Sequence, residues 1–261
     1  MDTTFISIGI AGASGKFGRS LVATALRDPG VRIACGVGSS SSPHLGHDLG
    51  ILAGKEEIGV LLTSNYDALF EESTLIIDVS LATNLENMLT GACQKKKPLL
   101  IGTTGHDEKN LTLMKQASQH IPLFYASNFS LGVAAMTRAA SLLSRMLGET
   151  CAIAIAETHH IHKKDRPSGT ALGLALAMKN ASGKEPVSIN SQRIGDVIGD
   201  HNVNFLLEEE QVTLSHRALS RAIFAKGALC AAKFLAKQSP GFYSMDQLLQ
   251  EKEEAYAPCK N

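Results

Sequence analysis

Three glycines, Gly12, Gly15 and Gly18, follow the apolar run Phe5 to Ala11 and precede a helical pattern from Arg19 to Arg27. Few folds accept that order. A strand that ends in a glycine turn and continues into a helix sends the next strand back alongside the first, which opens a parallel, doubly wound sheet. The same alternation repeats downstream. Apolar, β-rich segments at Val31 to Val37, Val60 to Thr63, Leu75 to Val79, Leu99 to Ile101 and Leu123 to Ala126 are separated by helical patterns, so the first half of the chain is expected to be a Rossmann-like α/β fold.

In that fold the glycine turn has a chemical use. Helix-start N–H groups attract an anion, and glycines let the backbone approach it closely, so Gly12, Ala13, Ser14, Gly15, Lys16, Phe17 and Gly18 are candidates for cradling a dinucleotide pyrophosphate. The first two glycines stand three apart, where the common fingerprint has them two apart, and an ordinary tight turn is the alternative reading. NAD-binding folds place a carboxylate after the second strand, to hold the ribose hydroxyls. Here Gly38 and Ser39 follow Val37. With no carboxylate to repel a 2′-phosphate, and with Ser39, Lys16 and Arg19 to meet it, the reading favours NADPH over NADH. The loops Gly102, Thr103, Thr104 and Ala126, Ser127, Asn128, Phe129 fall at strand C-termini, where open α/β sheets bind ligands, and are expected to line the nicotinamide end.

Beyond Phe129 the pattern changes. A long amphipathic helix (Gly132 to Leu147), a strand (Ala152 to Glu157), a helix (Ser168 to Ala181) and β-rich segments at Val187 to Arg193, Val203 to Leu207 and Gln211 to His216 predict a second, α+β domain. Leu219 to Lys237 is again helical in pattern, and the tail from Glu251 to Asn261 is polar enough to fray.

Between the strand and the helix of this second domain lies the most unusual stretch, Glu157-Thr-His-His-Ile-His-Lys-Lys-Asp-Arg-Pro-Ser-Gly-Thr170. Only nine residues of 261 are histidine, yet three of them, His159, His160 and His162, fall within four positions. Imidazoles exchange protons near neutral pH, Lys163 and Lys164 add positive charge, and Ser168, Gly169 and Thr170 can present N–H groups at a helix start. The stretch suits an anion that undergoes proton transfer. A polar loop whose histidines merely cap or solvate is one alternative. A metal site is another, but on a strand only His160 and His162 would share a face, and adjacent lysines would repel a cation. No metal is expected.

Composition narrows the classes of function. Acidic and basic residues balance at 25 each and 44% of residues are hydrophobic, which fits a soluble globular chain and argues against nucleic acid as a partner. No apolar stretch has the length of a membrane span, and the N-terminus lacks signal-peptide features, so a cytoplasmic protein without a membrane partner is expected. Cys35, Cys93, Cys151, Cys230 and Cys259 are scattered and odd in number, which suggests free thiols.

Taken together, Gly12-x-x-Gly15-x-x-Gly18, Gly102-Thr-Thr-Gly105, Asn128-Phe129-Ser130-x-Gly132-Val133, His159-His160-x-x-Lys163-x-Asp165-x-Pro167-Ser168-Gly169-Thr170-Ala171, Phe224-Ala-x-Gly227-Ala228 and Pro240-Gly241-Phe-Tyr-x-Met245 resemble the 4-hydroxy-tetrahydrodipicolinate reductase family over nearly the whole chain. The resemblance implies NADH- or NADPH-dependent reduction of a cyclic dicarboxylate imine on the way to diaminopimelate and lysine, and a homotetramer built through sheets of the substrate domain. It implies that His159 is the acid–base residue and Lys163 a proton donor, with His160, Ser168, Gly169 and Thr170 holding a substrate carboxylate. It also divides the chain into a dinucleotide-binding domain of residues 1–128 and 219–261 and a substrate-binding and oligomerisation domain of residues 129–218, with closure on ligand binding.

This chain departs from the family in three places. Gly38 and Ser39 replace the acidic residue and arginine that some members carry, Leu81 stands where many have a basic residue, and the segment before Arg193 is shorter than in longer members. Another imine or amino-acid dehydrogenase, or a non-catalytic NADP sensor, would share most of these features.

Overall fold

A computed structural model describes residues 5–183 and 188–256. The chain divides into two compact units, one made of the residues up to Phe129 together with those from Phe224 onward, the other of Ser130–Ile223.

The first unit is built on β1 (Ile6–Ala11), α1 (Lys16–Ala25), β2 (Val31–Val37), α2 (Leu49–Leu52), β3 (Leu62–Thr63), α3 (Tyr66–Glu72), β4 (Leu75–Asp78), α4 (Leu85–Lys95), β5 (Leu99–Ile101), α5 (Glu108–Ala117) and β6 (Pro122–Tyr125). Among the described residues its sheet has seven strands in the order β11-β6-β5-β4-β1-β2-β3, with β11 being Gly241–Tyr243. Every pairing is parallel, so the Rossmann-like expectation holds. The strands are apolar because helices cover both faces: Ile8, Ile10, Leu75, Ile76, Ile77, Leu99, Leu100 and Ile101 are fully buried.

Two features of this unit differ from expectation. The strand expected from Val60 shrinks to Leu62–Thr63, because Val60 and Leu61 pair with the Asp48 turn instead. The chain's end also returns to the sheet. After α8 (Ala222–Leu235), β11 pairs with β6 through Gly241↔Pro122, Phe242↔Leu123 and Tyr243↔Phe124, and α9 (Met245–Tyr256) follows it, so residues expected to fray are helical as far as Tyr256. Gly227 of α8 packs so closely that a Cβ there would lie 1.7 Å from the Phe129 carbonyl oxygen. The Lys233 ammonium meets the Asp28 carboxylate at 2.5 Å.

The second unit contains α6 (Leu131–Leu147), β7 (Ala152–His159), α7 (Gly169–Ser182), β8 (Ser188–Arg193), β9 (Asp200–Leu206) and β10 (Gln211–Arg217). Among the described residues its sheet has four strands, ordered β10-β9-β7-β8, with β7 and β8 parallel and the other pairs antiparallel. Val187, at the expected start of β8, lies outside the described residues, as does Cys259. One sheet face packs Ile153, Ile155, Val203 and Phe205 against Met136 and Ala140 of α6 and Ala171, Leu174 and Met178 of α7. The opposite face carries small and polar side chains such as Ala154, Ala156, Asn190, Asn204 and Thr213, half-buried to exposed, with the Asp200–Arg217 ion pair at one end.

Candidate active site

Alternation along β7 decides which groups meet. Residues at i, i+2 and i+4 share a face, so the row Ile153, Ile155, Glu157, His159 runs from core into a polar patch, and all four are buried. β9 does the same with Phe205, Val203 and His201. Register then sets Glu157 beside His201, His201 beside His216, and His159 beside Arg193. His159 therefore closes a strand, where a position in the following loop was expected.

Glu157 is the hub. Its carboxylate accepts a short hydrogen bond from His159 Nδ1 and lies 2.9 Å from both Nη1 and Nη2 of Arg193. It also accepts the Ser168 N–H at 3.3 Å. Burial alone would raise its pKa, but the Arg193 guanidinium and His159 hold the acid down at about 2. An ionised carboxylate only accepts, so Nδ1 carries the imidazole proton and Nε2 is the nitrogen left for exchange. Burial holds His159 below the ordinary histidine pKa despite Glu157, with Lys163 and Arg193 acting in the same direction. Gly199 allows this ring position, since a Cβ there would stand 3.0 Å from Nε2.

Lys163 lies on the loop after β7. Its ammonium pairs with Asp165 at 2.9 Å, and its N–H donates to the His160 carbonyl. That ion pair, together with the N–H of Gly169 at the start of α7, lowers the pKa of Asp165. Ser168 is the N-cap of α7: its Oγ accepts the Ala171 N–H at 3.2 Å and lies 3.4 Å from His201 Nε2. Gly169 is exposed, while Thr170 and His160 are half-buried. The expected residues thus gather in one unit around the end of β7 and the start of α7.

His162 is exposed, its ring 6.2 Å from that of His160. Because β7 ends at His159, the shared strand face considered for His160 and His162 does not exist. Among the described residues no group of three or more His, Cys, Asp or Glu is placed to hold a metal ion.

Sequence reasoning missed Arg193, His201 and His216 as site residues. His201 is 3% exposed, its ring 5.1 Å from that of His159, and burial pushes its pKa down to about 4. Nδ1 of both His201 and His216 is buried without a hydrogen-bond partner. Each of these residues is isolated in the sequence, and strand pairing alone brings Arg193 and His201 to Glu157 and His216 to His201.

In the first unit the candidate cofactor residues share the C-terminal edge of the parallel sheet. Gly12 adopts a φ of +85°, and a Cβ on it would lie 2.7 Å from the Val79 carbonyl oxygen. At Gly18 a Cβ would come within 2.2 Å of the Gly12 oxygen, whereas at Gly15 the nearest atom would be 3.2 Å away. Gly12 and Gly18 thus shape the turn, and Gly15 is its open member. Gly15 caps α1 without a side-chain hydrogen bond. Phe17 stacks on Phe129 at 6.2 Å, and Gly102 admits the same phenylalanine, since a Cβ there would lie 2.6 Å from its ring. Thr103 is fixed by a 2.7 Å contact with His106, another residue the sequence did not single out. Ser39, Lys16, Thr104 and Ser127 are exposed, Ala13 and Ala126 are buried, and Ser14 and Asn128 are half-buried.

Comparison with known proteins agrees with this geometry. Residues 6–129 match the model described as dihydrodipicolinate reductase, N-terminus, and residues 132–249 match its C-terminus counterpart. The 4-hydroxy-tetrahydrodipicolinate reductase of Halorhodospira halophila is 34% identical, with 94% of this chain and 98% of that protein covered. The enzyme of the same name from Pseudoalteromonas atlantica is also 34% identical, with 93% and 98% covered. Among solved structures, dipicolinate-bound dihydrodipicolinate reductase from Paenisporosarcina sp. TG-14 is 20% identical, covers 93% of this chain and 99% of its own, and superposes with a TM-score of 0.78. An amine dehydrogenase from Mycobacterium smegmatis, 12% identical, shares the fold at a TM-score of 0.61, with 92% and 95% covered. Both halves and nearly the whole length agree, and the chain belongs to the dihydrodipicolinate reductase family of oxidoreductases.

Proposed function

We propose that the chain catalyses NAD(P)H-dependent reduction of 4-hydroxy-tetrahydrodipicolinate to tetrahydrodipicolinate in diaminopimelate and lysine biosynthesis. The observation that carries the reading is a buried imidazole, oriented by an ionised Glu157, beside the start of α7 and the Lys163 ammonium. The relatives at 34% identity carry that enzyme's name.

The glycine turn fits a dinucleotide, because its two tight positions admit no Cβ and α1 begins without a side-chain cap. The bound cofactor would supply the hydride. NADPH is favoured over NADH because Gly38 and exposed Ser39 follow β2 where a carboxylate would repel the 2′-phosphate.

The second unit's residues manage charge and protons. Gly169 and Thr170 N–H groups, Ser168 and His160 hold a substrate carboxylate, which takes the place of Asp165 at Lys163 and Gly169. The 4-hydroxyl leaves as water, hydride would enter the carbon framework of the resulting conjugated imine, and Lys163 donates the proton that the ring nitrogen then needs, with His159 Nε2 exchanging protons at the same centre. Hydride and proton enter, water leaves, and the product keeps a C=N bond. The neutral His201, with an unpartnered Nδ1, offers a further polar contact. The name of the dipicolinate-bound relative supports a planar dicarboxylate as the ligand class.

Assembly as a homotetramer through the face of the second sheet opposite α6 and α7, and a place in the cytoplasm, belong to the same reading. The four described cysteines are free thiols, and among the described residues no helix is long and apolar enough to cross a membrane.

The test is turnover: purified protein is mixed with NADPH and freshly made product of the dihydrodipicolinate synthase reaction, and cofactor oxidation is followed by absorbance. Rapid oxidation that needs the dicarboxylate is expected. NADPH binding without oxidation would leave a sensor, and oxidation with simple imino acids would point to a different dehydrogenase.

A further inference from the structure

We infer that Arg193 is a positioning residue that fastens the Lys163 loop to the strand carrying His159. The inference rests on the proposed roles of those two residues. Arg193 ends β8, in register with His159 at the end of β7. Its guanidinium has five N–H donors in a fixed plane, and the structure gives each one an acceptor.

Nε donates to the Lys163 carbonyl at 3.2 Å. Nη1 donates to Glu157 Oε2 at 2.9 Å and to the Gln192 carbonyl at 2.6 Å. Nη2 donates to the Asp165 carbonyl and stands 2.9 Å from Glu157 Oε1. One edge of the fork therefore fixes the carboxylate that orients His159, and the others fix backbone carbonyls on either side of Lys164. The side chain is 2% exposed, so its donors are shielded although Gln192 and Asp165 themselves are exposed.

Charge neutralisation of Glu157 needs only a cation. Reaching a carboxylate and two loop carbonyls together needs the fork. A lysine has three donors on one atom and cannot span them. Arg193→Lys separates the two functions, keeping a positive charge beside Glu157 and freeing the loop.

The experiment compares the full-length wild type, R193K and R193Q in the reductase assay, with NADPH affinity measured by fluorescence. A loosened catalytic loop is expected to lower kcat about tenfold in R193K and about a hundredfold in R193Q, with NADPH affinity unchanged within about twofold. The acid limb of the kcat/KM profile should move to higher pH in R193Q. His159 faces Glu157, Arg193, Lys163 and His201, and losing one of its cationic neighbours makes it easier to protonate. A packing role alone would lower thermal stability without moving that limb.

Wild-type kcat and an unmoved acid limb in R193K and R193Q overturn the inference. If neither variant folds, ¹⁵N spectra of the wild type decide: a slowly exchanging Arg193 Nε–H and a His159 protonated at Nδ1 support it, and rapid exchange with mixed tautomers overturns it. H159A and K163A run in parallel keep the levels apart. Full activity in those two sinks the site assignment itself, whereas their collapse beside a wild-type-like R193K removes only the role of Arg193.

Discussion

The two candidate sites are made of different material. In the first unit the cradle is backbone: Gly12 and Gly18 are there for what they lack, and the contacts that define the turn are main-chain oxygens within 3 Å of where a Cβ would stand. In the second unit the site is side chain: a carboxylate whose charge a guanidinium balances out of water, with imidazoles packed beside the pair. A backbone site fails sterically and takes its fold with it. A side-chain site fails electrostatically and can leave the fold standing.

The sharpest way to break this contrast is through the chemistry. His159→Ala and Lys163→Ala should each lower kcat by about a hundredfold or more with NADPH affinity nearly intact, because proton transfer acts in the transition state. Weakened NADPH binding, read by fluorescence titration, would put them at the wrong site.

The glycine turn should behave in the opposite way. Gly18→Val forces a Cβ to within 2.2 Å of a backbone oxygen, so NADPH affinity and the melting temperature should fall together, with a cost of about 1–3 kcal/mol for overpacking. Gly15→Ala meets only the 3.2 Å neighbour and should keep its melting temperature while binding NADPH less tightly. A Gly18 variant that binds and melts normally would remove the steric account.

Acid should weaken the charge-built unit next. His201 titrates at about 4 in the fold, below its value in an unfolded chain, so its stabilising effect is full above about pH 6.5 and is lost as pH falls towards 4. Glu157 titrates at about 2, so its contribution is full above the unfolded value near 4.5 and is lost as pH falls from there towards 2. Thermal melts should decline in two stages, and Glu157→Gln should flatten the lower one. A single stage unaffected by that change would contradict the assignment.

The smallest effect concerns the exposed partner of Lys163. Asp165→Asn removes the carboxylate that competes with a ligand anion, and it should tighten a dicarboxylate inhibitor by only about twofold to fivefold, since surface ion pairs are worth at most about 1 kcal/mol. Weaker inhibitor binding would mean that Asp165 supports the loop instead of holding the ligand's place.

The same contrast governs how much could be read in advance. Glycine spacing and apolar alternation are local, so the parallel sheet, the turn and the strand ends bearing Gly102 and Phe129 were legible. The histidine cluster was legible because it is contiguous. Glu157 stands at the edge of that cluster with nothing local to mark it as the hub, and its partners Arg193 and His201 arrive from other strands through pairings that no local pattern encodes. The apolar pattern places His159 in the loop because its strand turns polar before it ends. The three-residue β11 was hidden behind Pro240-Gly241, a signal that ordinarily marks a turn.

That last strand orders events during synthesis. β6 leaves the ribosome early with one edge bare, and the segment that covers it follows only after more than a hundred further residues, the whole of Ser130–Ile223 among them. The nascent N-terminal portion therefore waits with an open hydrogen-bonding rim while its neighbour is translated and folds, and a truncation before Gly241 would leave that rim available to other chains.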